Sequence, residues 1–168
     1  MPRQIVFTSN AAKPPATYSQ AVKAAGLVFV SGTAPQDPET GAIKGTTIQD
    51  QTRQCLANIS AILEAAGSSL DKIVSVTIIL ADESDFQGMN EEWLKWFPSN
   101  PPARQGAKLP VKVPGLKVSI AAIAEAPERF RHRPPRPDAR QQRSRGATHA
   151  SLRRPVPGPR RRRQLSPD

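Results

Sequence analysis

TIQDQTRQCLANISAILEAAGSSLDKIVSVTIIL, residues 47–80, sets the fold class of this chain, because its hydrophobic period changes in the middle. In the first half, apolar residues recur three, four or seven positions apart, which is typical of an amphipathic helix of about five turns. These residues are Ile48, Cys55, Ile59, Ile62 and Ala66, with Leu56 and Leu63 widening the stripe. The second half ends in KIVSVTIIL, Lys72 to Leu80, whose β-branched residues predict a central strand.

Both ends of the predicted helix carry residues suited to capping. Thr47 is the expected N-cap, since its hydroxyl can accept a hydrogen bond from a free backbone N–H of the first turn, which contains Gln49, Asp50 and Gln51. Gly67 stands where a left-handed residue is needed to end the helix. The helix is therefore expected to begin after Thr47 and to end just before Gly67.

On the N-terminal side of this helix, the pattern predicts two early strands. They are Gln4 to Phe7 and Leu27 to Val30, and the second runs into a Ser-Gly pair. The sequence DPETG, residues 37–41, is rich in turn formers and predicts a chain reversal into a short third strand near Ile43.

On the C-terminal side, a second helix is predicted from Asp82 to Phe97, ended by Pro98. Its apolar side carries Phe86, Met89, Trp93 and Trp96. Two more strands, Ala103 to Leu109 and Lys117 to Ala124, are separated by a Pro-Gly turn at 114–115. The resulting order, ββ(β)αβαββ, predicts an α+β fold with a mixed sheet and two helices on one face.

The charge of the chain is concentrated beyond residue 126. The 168 residues have a net charge of +10, yet residues 1–126 contain 11 Lys and Arg against 11 Asp and Glu. Residues 127–168 contain 13 Arg, 8 Pro and no Lys, with few bulky apolar residues. Such a segment cannot bury enough surface to offset the entropy of ordering it. The sequence thus predicts one domain, residues 1–126, and a disordered tail, residues 127–168.

The single cysteine and the length of the apolar runs indicate in which cellular compartment the protein is expected. Cys55 excludes an internal disulfide and is compatible with a reducing environment, and its place on the helix stripe favours a buried core thiol over a nucleophile. No apolar run approaches the roughly 20 residues that a membrane helix requires, and residues 1–10 lack the apolar core of a signal peptide. A cytoplasmic protein is expected, with mitochondria as the alternative and no membrane partner.

Five ordered motifs carry a resemblance to a known family. They are Pro-x-x-Tyr-Ser-Gln-Ala at 15–21, Val-Ser-Gly at 30–32, the helix QTRQCLANISAILEAAG at 51–67, the helix start at 85–90 and Pro-Ala-Arg at 102–104. Over about residues 3–126 the chain resembles the RidA/YjgF group, which is also labelled L-PSP endoribonuclease. Each motif is weak alone, and their order gives the resemblance its strength.

The resemblance implies a chorismate-mutase-like fold and a homotrimer with small-molecule clefts between subunits. It also implies hydrolysis of reactive enamines or imines, of the 2-aminoacrylate and 2-iminopropanoate type, to 2-keto acids and ammonia. No cofactor and no metal are implied.

Two residues are the expected catalytic ones under this resemblance. Arg104 follows a rigid Pro-Pro pair, and its planar fork suits a bidentate grip on a substrate carboxylate. Tyr18 matches a family residue that lines the cleft and whose hydroxyl can bond substrate or water. The alternatives are a structural ion pair for Arg104 and ordinary loop packing for Tyr18.

Three further residues match positions that contribute to substrate binding. Ser31 and Gly32 match the pair at a strand end where the backbone approaches a ligand, although an ordinary turn is the alternative. Asn90 matches a helix position that supports the cleft, and otherwise it is a surface amide.

Two departures from the family pattern weigh against the enzyme interpretation. Gly106 stands where deaminating members carry Cys, and Ala121 stands where they carry the Glu that activates water. Both positions are still expected to line the substrate site. Ser119 and Glu125 share the strand face of Ala121, but neither replaces that carboxylate directly. No histidine precedes His132, which leaves the domain without a His base or a His-containing metal site.

Three functions therefore compete. The first is a RidA-like deaminase, slower or altered in specificity. The second is a noncatalytic, carboxylate-binding or chaperone-like trimer, consistent with the absent Glu. The third is an RNA-associated or ribonuclease-like protein, and nucleic acid is expected to bind only through the basic tail. A tail without a selected role is the alternative to that third function.

Overall fold

The computed structural model describes residues 2–126, which form six strands and two α-helices. In chain order they are β1 (Gln4–Val6), β2 (Ala21–Ala24), β3 (Leu27–Thr33), α1 (Ile48–Ala65), β4 (Ile73–Leu80), α2 (Phe86–Trp96), β5 (Ala103–Lys108) and β6 (Val118–Glu125). The predicted tail lies outside the described residues, so the boundary at residue 126 and the disorder of the tail stay predictions.

All six strands form one sheet in the order β1-β2-β3-β6-β4-β5. β4 and β5 run parallel, since α2 carries the chain back along the sheet between them. The other neighbouring pairs in the sheet are antiparallel. The α+β class and the mixed sheet expected from the sequence are therefore confirmed, and β5 is an edge strand.

One face of this sheet is covered by both helices and forms the core. Alternate residues of β6 are almost completely buried there: Val118, Ile120, Ala122 and Ala124. The predicted stripe of α1 supplies Leu56, Ile59 and Leu63, each at most 1% exposed. Burial of each such side chain contributes about 1.5–3 kcal/mol, so this layer holds the helices to the sheet.

The opposite face of the sheet is apolar but open. Phe29 on β3 is 41% exposed, and Ile79 on β4 and Ile123 on β6 are half-buried. Both described helices lie on the other side, so this face has no covering layer within residues 2–126. An open apolar face of this kind is typical of a surface that another chain covers.

Buried amide side chains of α1 fix the loops above the sheet. Gln51 is 1% exposed, and its Nε2 donates to the carbonyls of Gly45 (3.0 Å) and Gly115 (2.7 Å). Its Oε1 accepts from the backbone N–H of Lys117 at 2.8 Å. Asn58 binds the carbonyls of residues 34 and 36 in the same way. Because both polar atoms of each amide have hydrogen-bond partners, these side chains order the loops at little desolvation cost.

A glycine allows the two helices to approach closely. A Cβ added at Gly88 on α2 would lie 2.6 Å from Cγ2 of Ile48 and 2.9 Å from Nε2 of Gln49, at the start of α1. Such distances leave no room for a side chain at this position. Gly88 therefore sets the spacing at which α2 packs on α1.

A buried carboxylate connects the same helices a turn further on. Glu92 is 2% exposed and accepts a bidentate pair of bonds from Arg53 on α1, each 3.0 Å long. Lys95 (3.0 Å) and Trp96 (3.1 Å) also donate to it. Burial alone would raise the pKa of Glu92, but the bonds from Arg53, Lys95 and Trp96 outweigh it and lower the pKa below its ordinary value.

Several local predictions are confirmed. Thr47 caps α1 by accepting a 3.1 Å bond from the backbone N–H of Asp50. Gly67 follows the helix with φ +79°, the left-handed conformation expected of it. Cys55 is buried in the core, and burial raises the pKa of its thiol, as a structural cysteine requires.

Other local predictions were wrong. The short third strand near Ile43 is only an isolated bridge to Gln36, whereas a strand that was not predicted, Ala21–Ala24, pairs with both β1 and β3. The second helix begins at Phe86 rather than Asp82, since Glu83–Asp85 forms a 3-10 turn. The sequence AVKA of β2 is too short and too low in β-branched residues to be recognised without its neighbours.

Candidate functional site

Arg104 lies on the edge strand β5, on the side of the sheet that the helices cover. It pairs in register with Val76, whose side chain is in the core, so the arginine side chain points toward α2. Its guanidinium carbon lies 5.2 Å from the ring centroid of Trp93 and 5.8 Å from that of Phe86. Nη1 lies 3.9 Å from Sδ of Met89.

Within residues 2–126, Arg104 has no carboxylate at ion-pair distance. Among the described residues, its guanidinium donates a side-chain hydrogen bond to the thioether of Met89, which is a weak acceptor. The alternative interpretation, a structural ion pair, is not seen in this part of the chain. The guanidinium therefore retains donors for an anion.

Those donors face a cavity of about 540 Å³. Its walls are mainly apolar and include Ile78, Leu80, Phe86 and Met89, while the charged residues Glu83 and Lys108 also line it. A guanidinium in a mainly apolar cleft suits a small anion with an apolar remainder, because apolar walls reduce the water around the charge.

Two other predicted site residues lie beside Arg104. Gly106 lines the same cavity, and a Cβ added there would come no closer than 3.8 Å to a neighbouring atom, the carbonyl oxygen of Ile78. This position therefore has room for the thiol side chain that is absent. Asn90 lines an adjoining depression that Arg104 also borders. We call Asn90, Arg104 and Gly106 the arginine half-site.

The other predicted residues lie together at a different place. Tyr18, Ser31 and Gly32 line one shallow depression, and we call them the tyrosine half-site. Tyr18 is 52% exposed. Ser31 donates its hydroxyl to the carbonyl of Ser19 (2.7 Å) and its backbone N–H to that of Gln20 (3.0 Å). Ser31 thus uses its donors to hold residues 19 and 20, which follow Tyr18, against β3.

A break in strand register accompanies the tyrosine half-site. The pairing of β3 with β6 shifts between Val30 and Thr33, so Ser31 and Gly32 occupy a bulge, a feature common beside binding sites. A Cβ added at Gly32 would lie 3.2 Å from Oγ of Ser119 on β6. A side chain here would therefore require the serine hydroxyl to move by a few tenths of an ångström.

Ala121 points away from Arg104. It pairs with Thr77, whose hydroxyl accepts a 3.0 Å bond from Gln105, so residues 77, 105 and 121 share the open face of the sheet. Arg104 is on the opposite face. Ser119 lies two residues from Ala121 on the same face, as the strand period predicts.

One chain does not bring the two half-sites together. β3 and β5 are separated by β6 and β4, which corresponds to about 14 Å across the sheet. Ala121 also lies on the opposite face from Arg104. A site that contained all of the predicted residues would therefore need a second copy of the chain.

Sequence reasoning assigned no site role to the side chains around Arg104. Phe86, Met89 and Trp93 were expected on the apolar side of the second helix, and two of them are indeed buried. The available signal is the order β4-α2-β5, because a helix that joins two parallel neighbouring strands packs over both. That order alone does not show which helix residue meets Arg104.

No helix within residues 2–126 is long and apolar enough to cross a membrane. In the same part of the chain, no group of three or more His, Cys, Asp or Glu side chains is arranged to hold a metal ion.

Comparison of the sequence with known proteins shows extended similarity. Residues 8–126 match the family model described as Endoribonuclease L-PSP. A RutC family protein of Pyrococcus horikoshii is 45% identical over 122 residues, which are 73% of this chain and 97% of that protein. The human 2-iminobutanoate/2-iminopropanoate deaminase is 33% identical over 122 residues, 73% of this chain and 89% of that protein.

Comparison of the fold agrees with this. The Rid family protein YyfA of Yersinia pestis superimposes with a TM-score of 0.70 at 34% identity, covering 74% of this chain and 99% of that one. E. coli TdcF, solved with bound serine, superimposes with a TM-score of 0.67 at 34% identity, covering 73% of this chain and 98% of that one.

Proposed function

Because this chain belongs to the Endoribonuclease L-PSP family, we propose that it hydrolyses 2-imino acids and their enamine tautomers to 2-keto acids and ammonia. The human relative is named 2-iminobutanoate/2-iminopropanoate deaminase, and a relative of Arabidopsis thaliana is named Reactive Intermediate Deaminase A. The observation that carries the proposal is the state of Arg104, whose guanidinium faces a cavity without a carboxylate partner among the described residues.

In this proposal Arg104 holds the substrate carboxylate. A guanidinium can donate two parallel N–H bonds to a carboxylate, which fixes both the position and the plane of the anion. The imine carbon is bonded directly to the carboxylate carbon, so a bidentate grip also places the reacting carbon a few ångströms from Arg104. The apolar walls of the cavity then receive the substrate side chain.

Hydrolysis itself requires one water molecule. The water oxygen bonds to the imine carbon, the electrons of the C=N bond pass to nitrogen, and the proton that the water loses is taken up at nitrogen to give a carbinolamine. A second proton then passes from the carbinolamine hydroxyl to nitrogen, the C–N bond breaks as a C=O bond forms, and ammonia leaves. Tyr18 is our candidate for orienting the water, since its phenol both donates and accepts hydrogen bonds.

The residue at position 121 predicts a slow reaction. Alanine cannot accept the proton that the attacking water loses, so general-base assistance, typically worth 10²–10⁴-fold, is missing there. Imines of this type also hydrolyse spontaneously in water. Binding and orientation by Arg104 would therefore supply most of the acceleration.

The complete site is proposed to form in a homotrimer. Each cleft would combine the arginine half-site of one subunit with the tyrosine half-site and Ala121 of its neighbour. The separation of these groups within one chain and the open apolar face of the sheet both support this arrangement.

A coupled assay tests the proposal. Imines are generated from amino acids by an amino-acid oxidase, and keto acid and ammonia are measured with wild type, Arg104→Ala and Ala121→Glu. We expect Arg104→Ala to lower kcat/KM at least tenfold and Ala121→Glu to raise it. Arg3→Ala, which removes an exposed arginine far along the sheet, is the charge-matched control. Equal rates for wild type and Arg104→Ala would refute the proposal.

A noncatalytic role is the second candidate, and Ala121 is the observation that favours it. In that case the trimer binds small carboxylates without converting them. Titration with 2-oxobutanoate would then show Arg104-dependent binding, while wild type would not accelerate imine hydrolysis.

A further inference from the structure

The side chains that contact the Arg104 guanidinium come from one face of α2. Phe86, Met89 and Trp93 are three and four residues apart, so they lie on the same side of the helix. All three meet the guanidinium: two through their rings, at 5.8 and 5.2 Å, and one through sulfur, at 3.9 Å. We call Phe86 and Trp93 the aromatic shelf.

The shelf has a fixed part and an accessible part. Trp93 is 4% exposed, and its ring packs on Phe97 with centroids 4.4 Å apart. Its position is therefore set by the core. Phe86 is 50% exposed and lines the cavity that Arg104 faces. A substitution at Phe86 can thus change the shelf with little effect on the core.

Arg53 on α1 and Arg104 on β5 differ in their partners. Arg53 gives N–H bonds to Glu92 and Asp50, so three of its donors are committed to carboxylates. Arg104 has aromatic faces and a thioether instead. An aromatic face attracts a cation but does not accept its N–H bonds as a carboxylate does. Arg104 is therefore held in place with its donors available.

From this geometry we infer that Phe86 and Trp93 are positioning residues, which hold the Arg104 guanidinium over the cavity and leave its N–H groups for a substrate carboxylate. The inference rests on the proposed function in one respect, that Arg104 binds the carboxylate. It adds residues to which sequence reasoning gave only a packing role.

Spectra of the ligand-free protein and its variants test the geometry first. The Arg104 Nε–Hε resonance of the full chain is identified by its loss in Arg104→Gln. Ring currents of the shelf should shift this resonance away from those of the other arginines, and Phe86→Leu and Trp93→Leu should each reduce the shift. Trp96→Leu is the matched control, since Trp96 lies on the same helix but bonds Glu92. An unshifted wild-type resonance would overturn the inference.

Ligand binding tests the role. We expect Phe86→Leu to weaken 2-oxobutanoate binding about threefold to tenfold, as the loss of one cation–π contact predicts, and Phe86→Tyr to restore it. In imine hydrolysis, Phe86→Leu should raise KM and should change kcat less than twofold. In the Arg104→Gln background, Phe86→Leu should have no further effect on binding.

The possible failures are distinguishable. If Phe86→Leu weakens binding equally with and without Arg104, Phe86 contacts the ligand itself and the positioning inference is overturned. If wild type shows the ring-current shift but neither binds 2-oxobutanoate nor hydrolyses imines, the proposed function fails. The contact of the aromatic shelf with Arg104 is then still supported.

Discussion

At the scale of single residues, the resemblance assigned candidate site roles to residues that spacing alone does not single out. Arg104 and Tyr18 were identified from motifs, and the structure places them in separate depressions. Phe86 and Trp93 were predicted only as packing residues, because their contacts with Arg104 depend on how α2 lies over β5. Periodicity shows which side of a helix is apolar and not what that side meets.

Glu92 gives a prediction of pH-dependent stability at this scale. The pKa of Glu92 in the folded protein is below its ordinary value of 4.5, so its charge stabilises the fold above that pH, and the contribution is lost as the pH falls through the lowered pKa. We expect Glu92→Gln to cost roughly 1–3 kcal/mol at pH 7, less than a fully buried pair because Arg53 stays half-exposed.

Urea unfolding at fixed protein concentration measures this effect at pH 7 and at acid pH. The difference between wild type and Glu92→Gln should shrink below about pH 4.5. Glu91→Gln is the matched control, since the neighbouring carboxylate is exposed and has one 3.2 Å bond from Gln49. A difference that is independent of pH would contradict the ionic explanation.

At the scale of elements, long periodic segments were predictable and short ones were not. α1, β4 and β6 carry enough apolar residues for their period to be read, and the caps of α1 follow from Thr47 and Gly67. β2 has four residues and depends on hydrogen bonds to the strands on both sides, so its own sequence contains little signal. The bridge at Ile43 had suitable turn residues but no partner strand.

Gly88 gives the prediction at this scale. Alanine is a better helix former than glycine by about 1 kcal/mol, which alone would stabilise α2. The added Cβ, however, would lie 2.6 Å from Cγ2 of Ile48, and overpacking of this kind costs about 1–3 kcal/mol. We therefore expect Gly88→Ala to lower the thermal midpoint.

A second substitution, which removes the Ile48 methyl group, tests whether the clash with Ile48 causes the destabilisation by Gly88→Ala. In an Ile48→Ala background the methyl group in question is absent, so Gly88→Ala should destabilise less there than in wild type. If the two effects simply add, the contact with Ile48 does not set the helix spacing.

At the scale of the whole molecule, the sequence predicted more than one chain can confirm. The homotrimer, the cytoplasmic or mitochondrial location and nucleic-acid binding through residues 127–168 stay predictions. The described residues nevertheless restrict the assembly, since Arg104 and Ala121 lie on opposite faces of one sheet. An arrangement that unites them must place the β5 edge of one copy against the open face of another.

Mixing inactive variants tests this arrangement. Arg104→Ala lacks one half-site and Tyr18→Ala lacks the other, so neither should hydrolyse imines efficiently alone. If each cleft joins two subunits, random co-assembly at equal amounts leaves about one quarter of the clefts intact. We expect a corresponding recovery of activity in the coupled assay after co-refolding. Activity no greater than the sum of the parents would refute a cleft that combines Arg104 of one subunit with Tyr18 of another.

The position of Arg104 on an edge strand also has a consequence for gene dosage. A cleft that is assembled from neighbouring copies exists only while the copies stay associated. If the proposed cleft is shared between copies, total activity would fall faster than in proportion to abundance at concentrations near those at which the copies dissociate.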